Sequence, residues 1–180
     1  AAKDKVNAQL SDLNLVALYT CPWPGQGFYF KKAVTSSKDT KGVKFRSYNP
    51  ATATFANELG MLPVQVEAAE LSQALATGVA SSFVSSGATG FDRKVWEHLS
   101  HFYEVNAWLP RNYVMVNKKA WKKIGKKNQD IIMGVAAMAE AAGTARSEQL
   151  SGWYLSQLAA NGMTVSEAKG QLRTDLESIG

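Results

Sequence analysis

Arg46 is the residue whose type and position best suit the binding of an anion. It lies in the segment VKFRSY at 43–48, whose alternating polarity predicts a strand, and Asn49-Pro50 follows directly. Asn49 can cap a helix that begins at Pro50. A guanidinium can hold a carboxylate through two parallel hydrogen bonds, and the amides of a helix N-terminus can add donors. An ion pair with a nearby Asp or Glu is the alternative interpretation of the same arginine.

The segment SSFVSSGATG at 81–90 is rich in hydroxyl groups and glycine. Such a loop lets backbone N–H groups approach an anion. Because it lacks the Lys-Ser/Thr ending of a P-loop, the pattern does not predict triphosphate binding. An ordinary flexible loop is the alternative.

Other reactive side chains do not form a recognisable catalytic or metal-binding pattern. His98 and His101 stand near two glutamates, but their spacing fits no compact zinc motif. Gly-x-Ser-x-Gly is absent, and Cys21 has no base that the sequence reveals. We therefore expect no metal, no cofactor and no enzymatic activity. An enzyme that uses the 85–90 loop with His98 or His101 is the competing hypothesis.

Six lysines surround Trp121 in the segment KKAWKKIGKK at 118–127. On a helix their spacing makes one charged, solvated face, with Trp121 directed away from it. No base-reading aromatic residues accompany them, so no nucleic-acid partner is predicted. The whole chain carries a formal net charge of +5.

The elements around these residues alternate between strands and helices, which favours the α/β class with mostly parallel pairing. Ligands of such sheets bind beyond the carboxyl ends of the strands, here 43–48 and 79–85. Between the elements, the sequence predicts loops at 22–30 and 86–90. Further helices are predicted at 3–11, 50–60, 69–77, 91–99 and 166–178, and beyond 118, where a long helix runs to Gly162.

Length and composition are those of a globular protein. The chain has 180 residues, of which 46% are hydrophobic and 19% charged. No run of about 18 apolar residues occurs. The N-terminus, AAKD, is neither a Met start nor a signal peptide, so we expect a mature protein with its signal peptide removed, or a fragment.

Several motifs in one order resemble a known family. The segment DTKGVKFR at 39–46 is similar to the DLKGLKxR signature of solute-binding proteins of tripartite ATP-independent periplasmic (TRAP) transporters. Matching blocks follow in the family's order at 60–64, 70–79, 102–105, 116–121 and 161–165. The resemblance covers nearly all of this chain, but only the C-terminal half, or slightly more, of a typical member.

The resemblance implies a periplasmic-binding-protein-like fold. Its two α/β lobes are joined by crossing strands and a long C-terminal helix, and they close on a ligand. Residues 25–110 and 151–180 would form the ligand-binding lobe II. Residues 1–24 and 111–150 would form part of lobe I, which is incomplete in this chain.

The family pattern also assigns site residues. Arg46 matches the arginine that pairs with the ligand carboxylate, and Asn49 falls where members supply an amide. Ser85 takes the place of an asparagine that often hydrogen-bonds the ligand. Gln26 lies in the loop where some members place a second polar residue that contacts the ligand. Trp23 and Phe28 would replace an aromatic residue that is absent at Ala68. Ser86, with the rest of 86–90, would line the mouth of the cleft.

The resemblance implies an extracytoplasmic, periplasmic protein that captures a small organic acid. It would deliver this carboxylate to the membrane subunits of a TRAP transporter. A ligand-binding sensor domain of the same fold is one alternative. A fragment that binds nothing and self-associates, or that needs a missing N-terminal portion, is another.

Overall fold

A computed structural model describes residues 2–179 of the chain. The described α-helices are α1 (Ala2–Asp12), α2 (Pro50–Glu58), α3 (Leu71–Ala76), α4 (Gly87–Asp92), α5 (Lys118–Lys123), α6 (Lys126–Ala160) and α7 (Gly170–Ile179). The strands are β1 (Leu15–Pro22), β2 (Gly27–Phe30), β3 (Lys44–Ser47), β4 (Leu62–Gln65), β5 (Ser82–Ser85), β6 (His101–Glu104), β7 (Arg111–Asn117) and β8 (Thr164–Glu167). Short 3-10 helices occupy Ser37–Thr40, Ala68–Glu70 and Val95–Glu97. None of the described helices is long and apolar enough to cross a membrane.

The chain divides into two compact units. One comprises Ala1–Trp23 and Pro110–Leu150, and the other comprises Pro24–Leu109 and Ser151–Gly180. The chain thus passes from the first unit to the second and back, and it enters the second again within α6. The assignment of these units to lobes of a larger binding protein stays a prediction.

The first unit is built on an antiparallel ribbon of β1 and β7. Leu15 pairs with Asn117 at one end and Pro22 pairs with Arg111 at the other. The helices of this unit are α1, α5 and the first part of α6. Among its described residues only Thr20 and Ala136 are buried, so this unit has little core of its own.

The second unit is built on a six-stranded sheet in the order β4-β3-β5-β2-β6-β8. β3 is parallel to β4 and β5, and β6 is parallel to β8. β2 runs antiparallel to both of its neighbours, β5 and β6. The predicted α/β class is confirmed, and the sheet is mixed because of β2.

Apolar side chains cover both faces of this sheet. Tyr29 and Phe83 stack on one face, with ring centroids 4.4 Å apart. Phe28, Phe45 and Val84 belong to the cluster on the other face. Alternation along each strand sends successive side chains to opposite faces, so a strand covered on both sides is apolar throughout.

β2 corrects the prediction of a loop over 22–30. Gly27–Phe30 forms a strand whose four residues are all buried. The prolines and glycines that indicate a loop end at Gly27, and the aromatic residues after them favour a strand. Gly27 is required here, because a Cβ atom would collide with the Tyr103 carbonyl oxygen and the Phe102 ring.

The regions 86–90 and 166–178 also differ from prediction. Residues 87–92 form α4 rather than a loop, and Ser86 is its N-cap. The predicted helix over 91–99 is wrong, because α4 ends at Asp92 and only the short 3-10 helix follows. The predicted helix over 166–178 is preceded by β8, which pairs with β6 across about 60 residues of sequence. That long-range pairing is invisible to local periodicity.

Candidate anion-binding site

Several predicted site residues lie at one edge of the second unit's sheet. β3 and β5 are neighbouring parallel strands, so their carboxyl ends, at Ser47 and Ser85, lie at the same edge. Antiparallel β2 begins there, with Gly27 paired to Ser85. Arg46 pairs with Phe83 and therefore lies on the same face as Phe83 and Ser85. This edge is the one that the rule for parallel sheets predicts.

The Arg46 side chain is held firmly at this edge. The residue is only 5% exposed, and Nε donates a hydrogen bond of 2.8 Å to the Val66 carbonyl oxygen just beyond β4. Within the described chain, neither terminal guanidinium nitrogen has a hydrogen bond to protein, and no carboxylate lies within 4.0 Å. The alternative of a local ion pair is therefore absent from the described residues. The two terminal nitrogens of the guanidinium remain available to a ligand.

Tyr48 is a site residue that the sequence analysis missed. The Arg46 guanidinium carbon lies 5.1 Å from the centre of the Tyr48 ring, the geometry of a cation–π contact. The Tyr48 hydroxyl donates a 3.0 Å hydrogen bond to Oε1 of Gln26, which is itself buried. The signal in the sequence was the position of Tyr48 two residues after Arg46, because residues two apart along an extended segment point to the same side. Arg46, Tyr48 and Gln26 thus form one connected set.

The electrostatics of the site favour an anion. Burial lowers the pKa of the Arg46 guanidinium, while the neighbouring Tyr48 and the Glu67 carboxylate raise it. An arginine side chain nevertheless remains charged at every physiological pH. Burial of a charged guanidinium without an ion pair costs desolvation free energy, and an anionic partner offsets that cost.

Asn49 acts first as a helix cap. Its Oδ1 accepts a 2.8 Å hydrogen bond from the Thr52 amide at the start of α2, as the sequence predicted for Asn49-Pro50. The Thr52 hydroxyl accepts a hydrogen bond from the Asn49 amide in return. Only the side-chain NH2 group is left to donate to a ligand. A hydrogen bond from Asn49 to a ligand would therefore come from its side-chain Nδ2, while Oδ1 caps the helix.

Ser85 and Ser86 differ in their availability. Ser85 ends β5 on the Arg46 side of the sheet and is 8% exposed. Ser86 is fully buried, and its hydroxyl accepts a hydrogen bond of 3.4 Å from the Thr89 amide as the cap of α4. Its carbonyl oxygen accepts another from the Tyr29 hydroxyl. Ser86 thus caps α4 and holds the Tyr29 hydroxyl, and its predicted place at the mouth of a cleft stays a prediction.

Of the two predicted aromatic residues, Phe28 belongs to the same unit as Arg46 and Trp23 belongs to the other unit. Phe28 is 2% exposed and packs on the opposite face of the sheet from Arg46, stacked against Phe55 with ring centroids 5.3 Å apart. The predicted ligand contact of Phe28 stays a prediction. Trp23 is 39% exposed and belongs to the first unit. Its predicted role stays a prediction.

The remaining reactive residues lie elsewhere. His101 Nδ1 lies 2.8 Å from the Ser100 hydroxyl, and its ring stacks on Tyr103. Residues 2–179 contain no group of three or more His, Cys, Asp or Glu residues that could hold a metal ion. Arg46 is thus the candidate anion-binding residue at this edge of the sheet, and Gln26, Asn49 and Ser85 lie at or next to strand ends at the same edge.

A family model for bacterial extracellular solute-binding protein, family 7, matches residues 3–178. The chain belongs to this family. The resemblance seen in the sequence motifs is thereby confirmed, and the family places the protein outside the cytoplasm. A comparison with curated protein sequences found no match.

Solved structures of TRAP solute-binding proteins have the same fold. One is a marine metagenome protein from an unidentified microbe, specific for pyroglutamate and solved with co-purified pyroglutamate. It is 67% identical with a TM-score of 0.93, over 99% of this chain and 59% of that one. Another is DctP6 of Bordetella pertussis, an extracytoplasmic solute receptor that binds pyroglutamic acid. It is 40% identical with a TM-score of 0.93, over 98% of this chain and 59% of that one. This chain thus spans about three-fifths of the length of these two relatives.

Proposed function

We propose that this chain forms the carboxylate-binding part of an extracytoplasmic solute receptor that serves a TRAP transporter. The observation that supports this function most directly is the state of Arg46. Its guanidinium is buried, fixed through Nε and without an acidic partner in the described chain. A structural arginine at such a position is normally neutralised by a carboxylate.

The proposed mechanism is capture by a two-pronged salt bridge. The two terminal guanidinium nitrogens donate to the two carboxylate oxygens of the ligand. Because the surroundings are largely desolvated, this charge-assisted pair is stronger than the same pair in water. The contacts to Val66 and Tyr48 keep the guanidinium in one orientation before the ligand arrives, which lowers the entropic cost of binding.

The proposed ligand is pyroglutamate, a small cyclic acid that two relatives at 67% and 40% identity bind. It offers one carboxylate, one lactam carbonyl and one lactam N–H. Arg46 would take the carboxylate. The amide NH2 groups of Gln26 and Asn49 can donate to a carbonyl, and the Ser85 hydroxyl can donate or accept.

The proposed activity is binding and delivery to the membrane subunits of the transporter, with no chemical conversion of the ligand. Residues 2–179 contain no group of three or more His, Cys, Asp or Glu residues that could hold a metal ion. A receptor of this kind needs none, since it must release its ligand unchanged.

The experiment is a thermal-shift titration with two matched compounds. Pyroglutamate should raise the unfolding temperature, since a ligand at a hundred times its Kd contributes about 2.7 kcal/mol to stability. 2-Pyrrolidinone has the same lactam ring without the carboxylate and should have no effect at equal concentration. Equal shifts from both compounds, or no shift from pyroglutamate, would contradict the proposal.

A further inference from the structure

The net charge of the protein is concentrated in one short segment. Residues 118–130 hold six of the 20 basic residues and one of the 15 acidic residues. The other 167 residues therefore contain 14 of each sign and carry no net charge. The surplus of five positive charges lies entirely in these 13 residues, which form α5 and the first turn of α6.

Two of the six lysines have partners inside the protein. Lys118 donates to the Ser11 carbonyl oxygen at 2.6 Å and to its hydroxyl. Lys126 forms an ion pair with Asp130, the acidic residue of the segment. We call the other four lysines the basic patch: Lys119, Lys122, Lys123 and Lys127.

The basic patch is open to a partner. All four side chains are exposed, and in the described part of the chain none has a carboxylate within 4.0 Å. Lys119, Lys122 and Lys123 are spaced by three and four residues in α5, which places them on one side of that helix. Like charges held together without counter-charges raise the local positive potential.

The composition of the patch favours a membrane surface over a protein. Lysine is depleted in protein interfaces, whereas arginine, the residue of geometric anion recognition, is enriched there. The segment contains no arginine. Its two large apolar residues, Trp121 and Ile124, are half-buried. They expose little apolar surface that a protein partner could bury in a pocket. Mobile point charges suit a diffuse, fluid layer of phosphate groups.

We propose that the basic patch binds the surface of a membrane that contains anionic phospholipid. The contact is electrostatic, shallow and reversible. It would keep the protein close to the membrane and so raise its concentration near membrane partners. This function is independent of the ligand held by Arg46, because it uses residues of the other compact unit.

The test is sedimentation of the full chain with vesicles. Vesicles of phosphatidylcholine with 30% phosphatidylglycerol are compared with vesicles of phosphatidylcholine alone, at low and high salt. One variant changes the four patch lysines to glutamine. A matched variant makes the same change at four exposed lysines of the second unit, namely Lys31, Lys32, Lys41 and Lys94. Circular dichroism checks that both variants are folded.

The proposal expects binding to the anionic vesicles only, and loss of that binding at high salt. At roughly fivefold for each of the four lysines, the patch variant should bind several hundredfold more weakly at low salt. The matched variant should bind like the parent. Equal losses in the two variants, binding to both kinds of vesicle, or binding to poly-glutamate without binding to vesicles would each overturn the proposal.

Discussion

A buried arginine that forms no ion pair is an unstable arrangement unless something else stabilises it. Arg46 has one backbone hydrogen bond and the face of Tyr48, which together offset part of the cost of desolvation. The family signature identified Arg46, and the Asn49-Pro50 pair identified the helix cap. Neither established the contact of Tyr48, because the two-residue spacing from Arg46 is a signal that does not by itself show that the ring lies against the guanidinium. The burial of Phe28 was equally hidden, since it depends on both neighbours of β2.

At the residue scale, two roles of Asn49 can be separated by substitution. Asn49→Ala removes the cap of α2 and should lower the free energy of unfolding by about 1 kcal/mol. Asn49→Ser keeps a capping oxygen and should unfold like the parent, but it lacks the NH2 donor. Chemical denaturation measures the first effect and ligand titration the second. If Asn49→Ser binds pyroglutamate as tightly as the parent, Asn49 is a cap alone.

At the element scale, local patterns identified most helices and strands of the second unit but not their partners. The strands at 43–48 and 62–66 and the helix after Pro50 follow from alternation and capping. β2 and β8 were missed because each depends on distant pairing, β2 with β5 and β6, and β8 with β6. α4 was missed because its glycines indicate a loop. Gly90 is needed there, since a Cβ atom would collide with the Tyr29 hydroxyl.

The segment that leads into β3 should make the protein sensitive to acid. One Asp39 oxygen accepts hydrogen bonds from the Thr35 amide and hydroxyl, both at 2.8 Å, and from the Ser36 amide. These bonds, led by the Thr35 amide, lower the pKa of Asp39. A carboxyl whose pKa is lower in the folded state stabilises the fold above its unfolded pKa of about 3.9. That contribution is lost as the pH falls through the folded pKa.

Asp39→Asn should therefore be less stable than the parent at pH 7, and the difference should shrink as the pH approaches 3. Urea denaturation at several pH values measures both effects. Asp92→Asn is the control, because Asp92 is exposed and its carboxylate accepts no such hydrogen bonds among the described residues. A difference between parent and Asp39→Asn that stays constant with pH would contradict this account.

At the scale of the whole molecule, the two compact units have very different cores. Both apolar clusters belong to the second unit, whereas the first has two buried residues among those described. Large apolar side chains of the first unit remain exposed on α6, including Val135 and Met138. The sequence predicted unit boundaries only through the family resemblance. Periodicity could not supply them, because α6 continues through the boundary at Leu150 without a break.

This contrast predicts unequal local stability. Amides of the β1–β7 ribbon should exchange hydrogen with solvent roughly tenfold faster, or more, than those of β2 and β5 in the centre of the sheet. Few buried apolar contacts hold the ribbon closed. Hydrogen-exchange mass spectrometry of the full chain measures both sets of amides in one experiment. Equal protection of the ribbon and the sheet would show that burial in the second unit is not what sets local stability.

The most direct test of the central claim is a calorimetric titration of pyroglutamate into the parent protein and the Arg46→Ala variant. Arg93→Ala, which removes an exposed arginine of the same unit, is the matched control. Loss of one partner of a desolvated charge pair costs about 2–5 kcal/mol, so Arg46→Ala should weaken binding by roughly 30-fold to several thousand-fold. Arg93→Ala should bind like the parent. An Arg46→Ala variant that folds and binds pyroglutamate with the parent's affinity would contradict the account.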